Sequence, residues 1–247
     1  MTGTLINAGA IIVGSSIGLI IHTKLPEKIT KIVFQAIGLF TIFLGIKMAL
    51  ETNCILCMIL SLVVGSIIGQ LMNIDTYMQN LGSHMYGKGG SAGMRLLRKI
   101  LYVKTNDVAE SEQSQRFIDG VVSSFLIFCM GSMAILGALQ DGLGEEPNLL
   151  LAKSVLDGFA SIAFAASMGI GVLFSVIPLV LFQGGISFMA VYIQSFFGDA
   201  VITELSAVGG ILLLGLGLSM LKIVKIPIIN MLPSLLVCVI LAYFMLQ

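Results

Sequence analysis

The sequence has no tryptophan, only two histidines, and charged residues at just 11% of its 247 positions. His22 and His84 do not share an apolar segment, so the sequence offers no cluster for an intramembrane metal. It also has no G-x-x-x-x-G-K-[ST] nucleotide-binding motif, and its formal net charge is zero, without the basic excess typical of nucleic-acid binding. We therefore expect no metal, no cofactor and no nucleic-acid partner.

A disulfide framework and a secretory signal are absent as well. The four cysteines have no regular spacing. The first residues, MTGTLINAGA, carry no positive charge ahead of the apolar run that follows. A cleaved signal begins with such charges, so we expect this run to be retained as a membrane helix.

Apolar residues dominate instead, at 57% of the chain and a mean hydropathy of +1.05. A soluble domain of this length has too little interior to bury them, which indicates an all-α polytopic membrane protein. A crossing needs about 20 apolar residues. Charges and turn residues divide the sequence into eight predicted transmembrane helices, numbered here as spans 1 to 8: 4–22, 31–50, 54–73, 116–139, 149–168, 172–197, 203–222 and 226–246.

These spans form one predicted transmembrane domain over residues 1–247. Spans 1–3 occupy 1–73, a loop covers 74–115, and spans 4–8 occupy 116–247. Within the loop, AGMRLLRKILYVK is typical of a short helix lying on the inner membrane surface, and equally of a solvated linker helix.

Basic residues predict the orientation. If the N-terminus lies outside, eleven of the thirteen lysines and arginines fall on the cytoplasmic side. Lysine and arginine bias sets membrane topology, so we expect both termini outside.

Two pairs of similar passages suggest internal symmetry and close packing. GLFTIFLGIKM at 38–48 matches GILLLGLGLSM at 210–220 in four positions. The match reflects either an inverted repeat of spans 1–3 and 6–8, as in many transporters, or a coincidence between apolar sequences. Gly14 and Gly18, and likewise Gly65 and Gly69, form small-residue faces. Such faces favour tight packing of spans 1 and 3 or a homodimer, and they could also form a thin wall beside a substrate path.

Lys153 and Asp157 form the sharpest anomaly, because they lie in an otherwise uncharged apolar stretch. At about 1.5 Å of rise per residue, Asp157 lies roughly 12 Å into span 5, within a hydrocarbon core roughly 30 Å thick. An acid at that depth indicates a functional site. Residues four apart share a helix face. Lys153 therefore either satisfies Asp157 permanently, or the pair opens to admit a cation or a proton.

Other polar residues accompany the pair on spans 4, 5, 6 and 8. Pro178 and the adjacent Gly184 and Gly185 predict that span 6 is broken or kinked, and irregular backbone at membrane depth survives only where it is buried or lines a cavity. The Asp141-Gly142 pair also fits a simple turn. The candidate ion- or substrate-binding residues are Asp157, Lys153, Ser132, Gln140, Asp141, Ser161, Gln183 and Asn230; the candidate structural glycines are Gly14, Gly18, Gly65, Gly69, Gly184 and Gly185.

The passages IGLFTIFLGIKMAL, CMGSMAILGALQDGL, AKSVLDGFASIAFAASMGIGV, QGG and NMLPSLL resemble the domain of unknown function 554 family. The resemblance covers essentially the whole chain and is most specific from Cys129 to Gly171. It implies a bacterial multi-pass protein of the inner membrane with the family's fold, and it supplies neither a substrate nor catalytic residues. The residues in family-like motifs are Cys129, Gly131, Gln140, Asp141, Gly142, Lys153, Asp157, Gln183, Asn230 and Pro233.

The sequence favours a secondary transporter or channel for a small ion or polar solute, with Asp157 binding a cation or proton. Its partners would be the lipid bilayer, that ion or solute, and a second copy in a homodimer. The alternative is a non-transporting membrane scaffold or sensor that assembles through its glycine faces. We do not expect an enzyme, because the sequence offers no credible nucleophile–base pair.

Overall fold

A computed structural model describes residues 1–22, 26–77, 110–129, 131–193 and 198–246. In lipid, a helix satisfies its own backbone hydrogen bonds, so apolar runs of this length become helices. The helices are α1 (Thr2–His22), α2 (Glu27–Ala49), α3 (Ile55–Met72), α4 (Glu110–Cys129), α5 (Ser132–Leu143), α6 (Asn148–Met168), α7 (Gly171–Phe174), α8 (Val176–Ile193), α9 (Asp199–Met220), α10 (Ile228–Met231) and α11 (Pro233–Leu246).

The all-α membrane fold predicted from composition is confirmed. Seven helical stretches of the described chain are long and apolar enough to cross a membrane, and there are eight if the bent pair α4–α5 forms one span. The division between spans 5 and 6 also falls where predicted. There, α6 ends at Met168 and is followed by Gly169, whose φ of +79° is a backbone conformation that glycine adopts without strain.

Span 4 departs from the prediction of a continuous helix over 116–139. It is broken between α4 and α5, whose axes differ by 69°. Gly131 precedes α5 in an extended conformation, with φ −86° and ψ 145°. Glycine has no side chain that restricts its backbone to helical angles. The helix can therefore bend at Gly131 even though the sequence has no proline there.

Span 6 is irregular at Ser175 rather than at the glycine pair, and Gly171–Tyr192 is long and apolar enough to serve as one span. The short helix α7 gives way to α8 at Ser175, while α8 continues unbroken through Gly184 and Gly185. Pro178 lacks the N–H that would bond to the carbonyl of Phe174, which places the irregularity one turn before the proline. Adjacent glycines keep their N–H groups and remain compatible with a helix.

The predicted loop is partly helical, since α4 begins at Glu110 rather than at 116. The last residues of the predicted 74–115 loop therefore belong to α4. The predicted surface helix AGMRLLRKILYVK lies outside the described residues.

The bundle is organised around α9, in which 78% of the residues of the most apolar stretch are buried. α9 packs against α2 and α11, α1 packs against α6, α3 packs against α10 and α11, and α5 packs against α8. The outer faces of α2 and α3 expose large apolar side chains such as Phe43 and Leu56, as lipid contact requires.

The glycine faces serve packing within one chain. Gly14 of α1 lies against Gly158 and Ser161 of α6, and Gly65 and Gly69 of α3 lie against α10 and α11. Spans 1 and 3 thus use their glycines on different partners and not on each other, contrary to the predicted pairing. Both glycine faces are covered by helices of the same chain, so they do not indicate a homodimer.

Candidate functional site

The Lys153–Asp157 pair is closed and buried in the structure. Lys153 Nζ donates a hydrogen bond to Asp157 Oδ1 at 2.8 Å, and the two residues are 7% and 5% exposed. Their spacing of four residues on α6 brings the two side chains together on one helix face. The pair is electrically neutral as a unit, which reduces the cost of its burial.

Two amides from other spans complete a polar cluster, which we call the central cluster: Asn7 of α1, Lys153 and Asp157 of α6, and Gln183 of α8. Asn7 Nδ2 donates to Asp157 Oδ2 at 3.2 Å and to Gln183 Oε1 at 3.3 Å. Asn7 and Gln183 are both completely buried. The cluster therefore connects three separate spans through the side-chain amide of Asn7.

The central cluster contains two buried polar atoms without a hydrogen-bond partner, Asn7 Oδ1 and Gln183 Nε2. The orientation of Asn7 follows from its neighbour, because a carboxylate oxygen accepts a hydrogen bond and must face the amide nitrogen. A buried polar atom without a partner costs free energy and calls for an explanation, such as a role in binding. Here one spare acceptor and one spare donor lie beside the ion pair.

Close helix contact holds Asn7 next to Asp157. Gly14 and Gly18 allow α1 to touch the backbone of α6, where an added Cβ would collide with the carbonyl oxygens of Gly158 and Ile162. Asn7 lies seven residues before Gly14, two turns along the same face. Ser161, a predicted site residue, donates to the Gly158 carbonyl at 2.8 Å and contributes to this packing.

Asp141 belongs to a second cluster at the N-terminal end of α1. Its carboxylate accepts hydrogen bonds from the backbone N–H groups of Gly3 and Thr4, both at 3.1 Å, and from the Thr4 hydroxyl at 3.2 Å. Acceptors at this position satisfy helix N–H groups that lack partners within the helix. Asp141 thus caps α1 from α5 and is not in a turn, since α5 continues through Leu143.

Glu204 provides a third buried carboxylate, which is not among the residues that the sequence nominates for the site. It lies within α9, is completely buried, and accepts hydrogen bonds from the Thr52 hydroxyl at 2.6 Å and the backbone N–H groups of Asn53 and Cys54 at 2.7 and 2.9 Å. These donors immediately precede α3, whose N-cap residue is Cys54, so Glu204 holds the start of α3 from a distant helix.

The remaining predicted residues lie apart from the central cluster. Ser132 is exposed and Gln140 is half-buried. Asn230 is buried where α10 meets α3, donating to Gln70 Oε1 at 2.9 Å and accepting from the Asp75 N–H at 2.7 Å. A Cβ added to Gly184 or Gly185 would meet nothing within 4 Å, so neither glycine is needed for close packing among the described residues.

Sequence reasoning found the acid, the base and Gln183, but did not give Asn7 a role in the site. The available signal was a single asparagine in the apolar run of span 1. Its partner Asp157 is 150 residues away, and that pairing exists only once α1 and α6 pack.

These features define a class: a helical membrane protein of about eight spans that holds a neutral ion pair in its interior, linked by amides to two further spans. The chain belongs to the family described as "Protein of unknown function (DUF554)", whose model matches residues 2–243. The family that the sequence resembled is thereby confirmed.

Two relatives cover nearly the same length. The chain is 30% identical to the uncharacterized protein YqgA of Escherichia coli (strain K12) over 234 residues, 95% of this chain and 93% of the relative. It is also 30% identical to the uncharacterized membrane protein YdfK of Bacillus subtilis (strain 168) over 241 residues, 96% and 93% of the two chains. No solved structure matches the chain.

Proposed function

We propose that this membrane protein is a secondary transporter of a small ion or polar solute, with the central cluster as its binding site. The observation that carries the proposal is the buried Lys153–Asp157 pair beside two unpartnered amide atoms. Ionisable groups within the membrane are costly and usually mark a pathway or binding site. If the ion pair only stabilised the fold, the unpartnered amide atoms beside it would lower the stability with no compensating benefit.

The position of the cluster supports alternating access. Its residues come from α1, α6 and α8, so movement of any one of these helices would break hydrogen bonds to the others. The broken span α4–α5 packs against α8 and α6, which provides a hinge beside the site. Discontinuous helices near a central site are a recurrent feature of secondary transporters.

An inverted repeat is the second support. Adding 172 to the bounds of α2 (27–49) gives 199–221, and α9 spans Asp199–Met220. The same shift takes α3 (55–72) to 227–244, close to the 228–246 covered by α10 and α11. This constant shift equals the offset between the two matching passages found in the sequence.

The contact between α2 and α9 has the reciprocity that an inverted repeat requires. A Cβ on Gly45 would lie 2.6 Å from the Gly210 carbonyl oxygen, and one on Gly217 would lie 2.8 Å from that of Gly38. The shift of 172 exchanges Gly38 with Gly210 and Gly45 with Gly217, so it converts one contact into the other. A two-fold axis between α2 and α9 accounts for this, as in transporters built from inverted repeats.

The orientation belongs to the same proposal: the bacterial inner membrane, with both termini outside, as the loop charges favour. The protein would act without a cofactor or nucleic acid. Transport across the inner membrane would then connect the periplasmic or external side with the cytoplasm.

Reconstitution tests the proposal. Purified protein in proteoliposomes is screened with gradients of protons, alkali cations and small polar solutes, and the flux of each is measured. We expect a substrate-dependent flux that the double change Lys153→Met with Asp157→Asn abolishes. This variant removes the acid and keeps the cluster neutral, which avoids leaving a lone buried charge.

The control is Glu145→Gln, which removes an exposed carboxylate after α5 and should leave the flux unchanged. Flux that survives the double change at Lys153 and Asp157 would contradict the assignment of the site. Absence of flux for every solute would favour the alternative, a non-transporting scaffold or sensor.

A further inference from the structure

We propose that the central cluster exchanges one monovalent cation for one proton, and that the proton leaves from Lys153. This inference rests on the proposed transport function and specifies its substrate class and coupling. It assigns Asp157 to the cation and Lys153 to the proton.

The first argument is charge balance. The cluster holds one carboxylate and one ammonium group, both almost completely buried, and has no net charge. A cation binding to Asp157 while Lys153 remains protonated would leave a net charge of +1 at membrane depth, which is strongly unfavourable. Loss of the Lys153 proton restores neutrality.

The exchange balances in atoms and charge. The Lys153 ammonium separates from Asp157, one N–H bond breaks, and the proton leaves toward water as the cation takes its place beside the carboxylate. Lys153 is then a neutral amine and Asp157 remains a carboxylate paired with the cation. No electron transfer and no further reactant are needed. Lysine suits this role because its amine gives up a proton readily when it is buried, whereas arginine does not.

The charge count also selects the valence of the cation. With a single carboxylate in the cluster, a monovalent cation and a neutral Lys153 give a net charge of zero. A divalent cation would leave a net charge of +1 even after Lys153 had lost its proton. The burial cost therefore discriminates against divalent ions.

The unpartnered atoms provide further ligands. Asn7 Oδ1 is a buried acceptor with no donor, next to the Asn7 nitrogen that bonds to Asp157. Gln183 Oε1 accepts only from Asn7 among the described hydrogen bonds, and it becomes available when Asn7 turns. Carboxylate and amide oxygens are the ligands that hard cations prefer.

The neighbouring helices bring few competing groups. α1 contributes Asn7 and α8 contributes Gln183, neither of which titrates. From α4, the buried thiol of Cys129 lies within electrostatic range of both Lys153 and Asp157. Burial in apolar surroundings disfavours the charged form of a thiol.

From α5, the buried carboxylate of Asp141 bonds to Gly3 and Thr4 of α1 and not to the central cluster. Among the described residues, Lys153 and Asp157 are therefore the charged groups that the cluster itself contains.

The decisive variant is Lys153→Arg in the full-length protein. Arginine preserves the positive charge and the ion pair with Asp157, so a purely structural role would be retained. It cannot release its proton, so exchange should fail. Proteoliposomes carrying a pH-sensitive dye receive an inward gradient of Na⁺, K⁺ or Li⁺ chloride, with Mg²⁺ and Ca²⁺ for comparison.

We expect wild-type vesicles to become alkaline inside with at least one monovalent cation and with neither divalent cation. Lys153→Arg should lower the initial rate at least ~10-fold, in line with the cost of burying an unbalanced charge. An independent binding measurement needs no variant: calorimetry of detergent-solubilised wild-type protein in buffers of different ionisation enthalpy should show one proton released per cation bound.

The outcomes separate this inference from the proposed function. Wild-type cation flux without proton movement, or full exchange by Lys153→Arg, would overturn the inference and leave transport intact. Flux of a zwitterionic solute alone would also overturn the inference and leave transport intact. Lys153 and Asp157 would then bind the two charged ends of that solute. If no solute moves at all, and cation binding releases no proton, both proposals fail.

Discussion

Asp157 and Lys153 depend on each other because neither charge has another ionic partner in the described structure. Removing one partner of a buried pair typically costs about 3–5 kcal/mol, while replacing both with apolar or neutral groups costs far less. We therefore expect Asp157→Asn to lower the free energy of unfolding in detergent by several kcal/mol, and the further change Lys153→Met to recover most of it. Chemical denaturation of both single variants and the double variant measures this coupling.

The coupling has a clear counter-result. If the effects of the two single changes simply add in the double variant, the 2.8 Å contact contributes no interaction energy. In that case Lys153 would not be the group that satisfies Asp157.

At the residue scale, the sequence predicts contacts only when the partners are close in sequence. The spacing of Lys153 and Asp157 identified the ion pair, because a helix brings residues four apart together. The bonds of Asn7 to Gln183 and of Cys54 to Glu204 span 176 and 150 residues, and these depend on how helices pack. Glu204 lies near the start of predicted span 7, and the sequence does not show that its side chain bonds to the residues before α3.

At the level of whole helices, Gly14 and Gly9 offer a matched comparison on α1. A Cβ at position 14 would collide with the Gly158 carbonyl and the Ser161 hydroxyl, whereas one at position 9 would meet nothing within 4 Å. We expect Gly14→Ala to separate α1 from α6 and lower the melting temperature in detergent. Gly9→Ala should leave it unchanged or raise it slightly, since alanine favours a helix by about 0.5–1 kcal/mol.

Thermal unfolding followed by circular dichroism checks this pair of variants under identical detergent conditions. Equal melting temperatures for Gly14→Ala and wild type would show that α1 can move away from α6 at no cost. The closeness of Asn7 to Asp157 would then need another explanation.

Hydropathy predicted the helices well but not their breaks. The membrane requires long apolar helices, so most span bounds agree with the structure within a few residues. The bend near Gly131 was missed, since a single glycine in an apolar run is compatible with both a straight helix and a broken one. The glycine pair at 184–185 was overinterpreted for the same reason.

For the whole molecule, helix directions indicate that the bent span α4–α5 crosses the membrane. α1 and α6 are parallel, because Gly14 contacts Gly158 and Gly18 contacts Ile162. α2 and α9 are antiparallel, as are α3 and α11. If α1, α2 and α3 each cross once, α6 can run parallel to α1 only if one further crossing precedes it. The pair α4–α5 supplies that crossing, which a re-entrant loop would not.

Single-cysteine labelling tests this topology. Glu145 and Lys225 are exposed and lie in the connections after α5 and after α9. With native cysteines replaced by serine or alanine, we expect a membrane-impermeant maleimide added to intact spheroplasts to label Glu145→Cys. Lys225→Cys should react only after the membrane is permeabilised, because an odd number of crossings separates it from Glu145. Lys225 then lies on the side that carries most of the lysines and arginines, which we expect to face the cytoplasm. Labelling of both cysteines from the same side would contradict the eight-span arrangement. Labelling of Lys225→Cys alone in intact cells would preserve the arrangement but reverse its orientation, and with it the direction in which the central cluster opens.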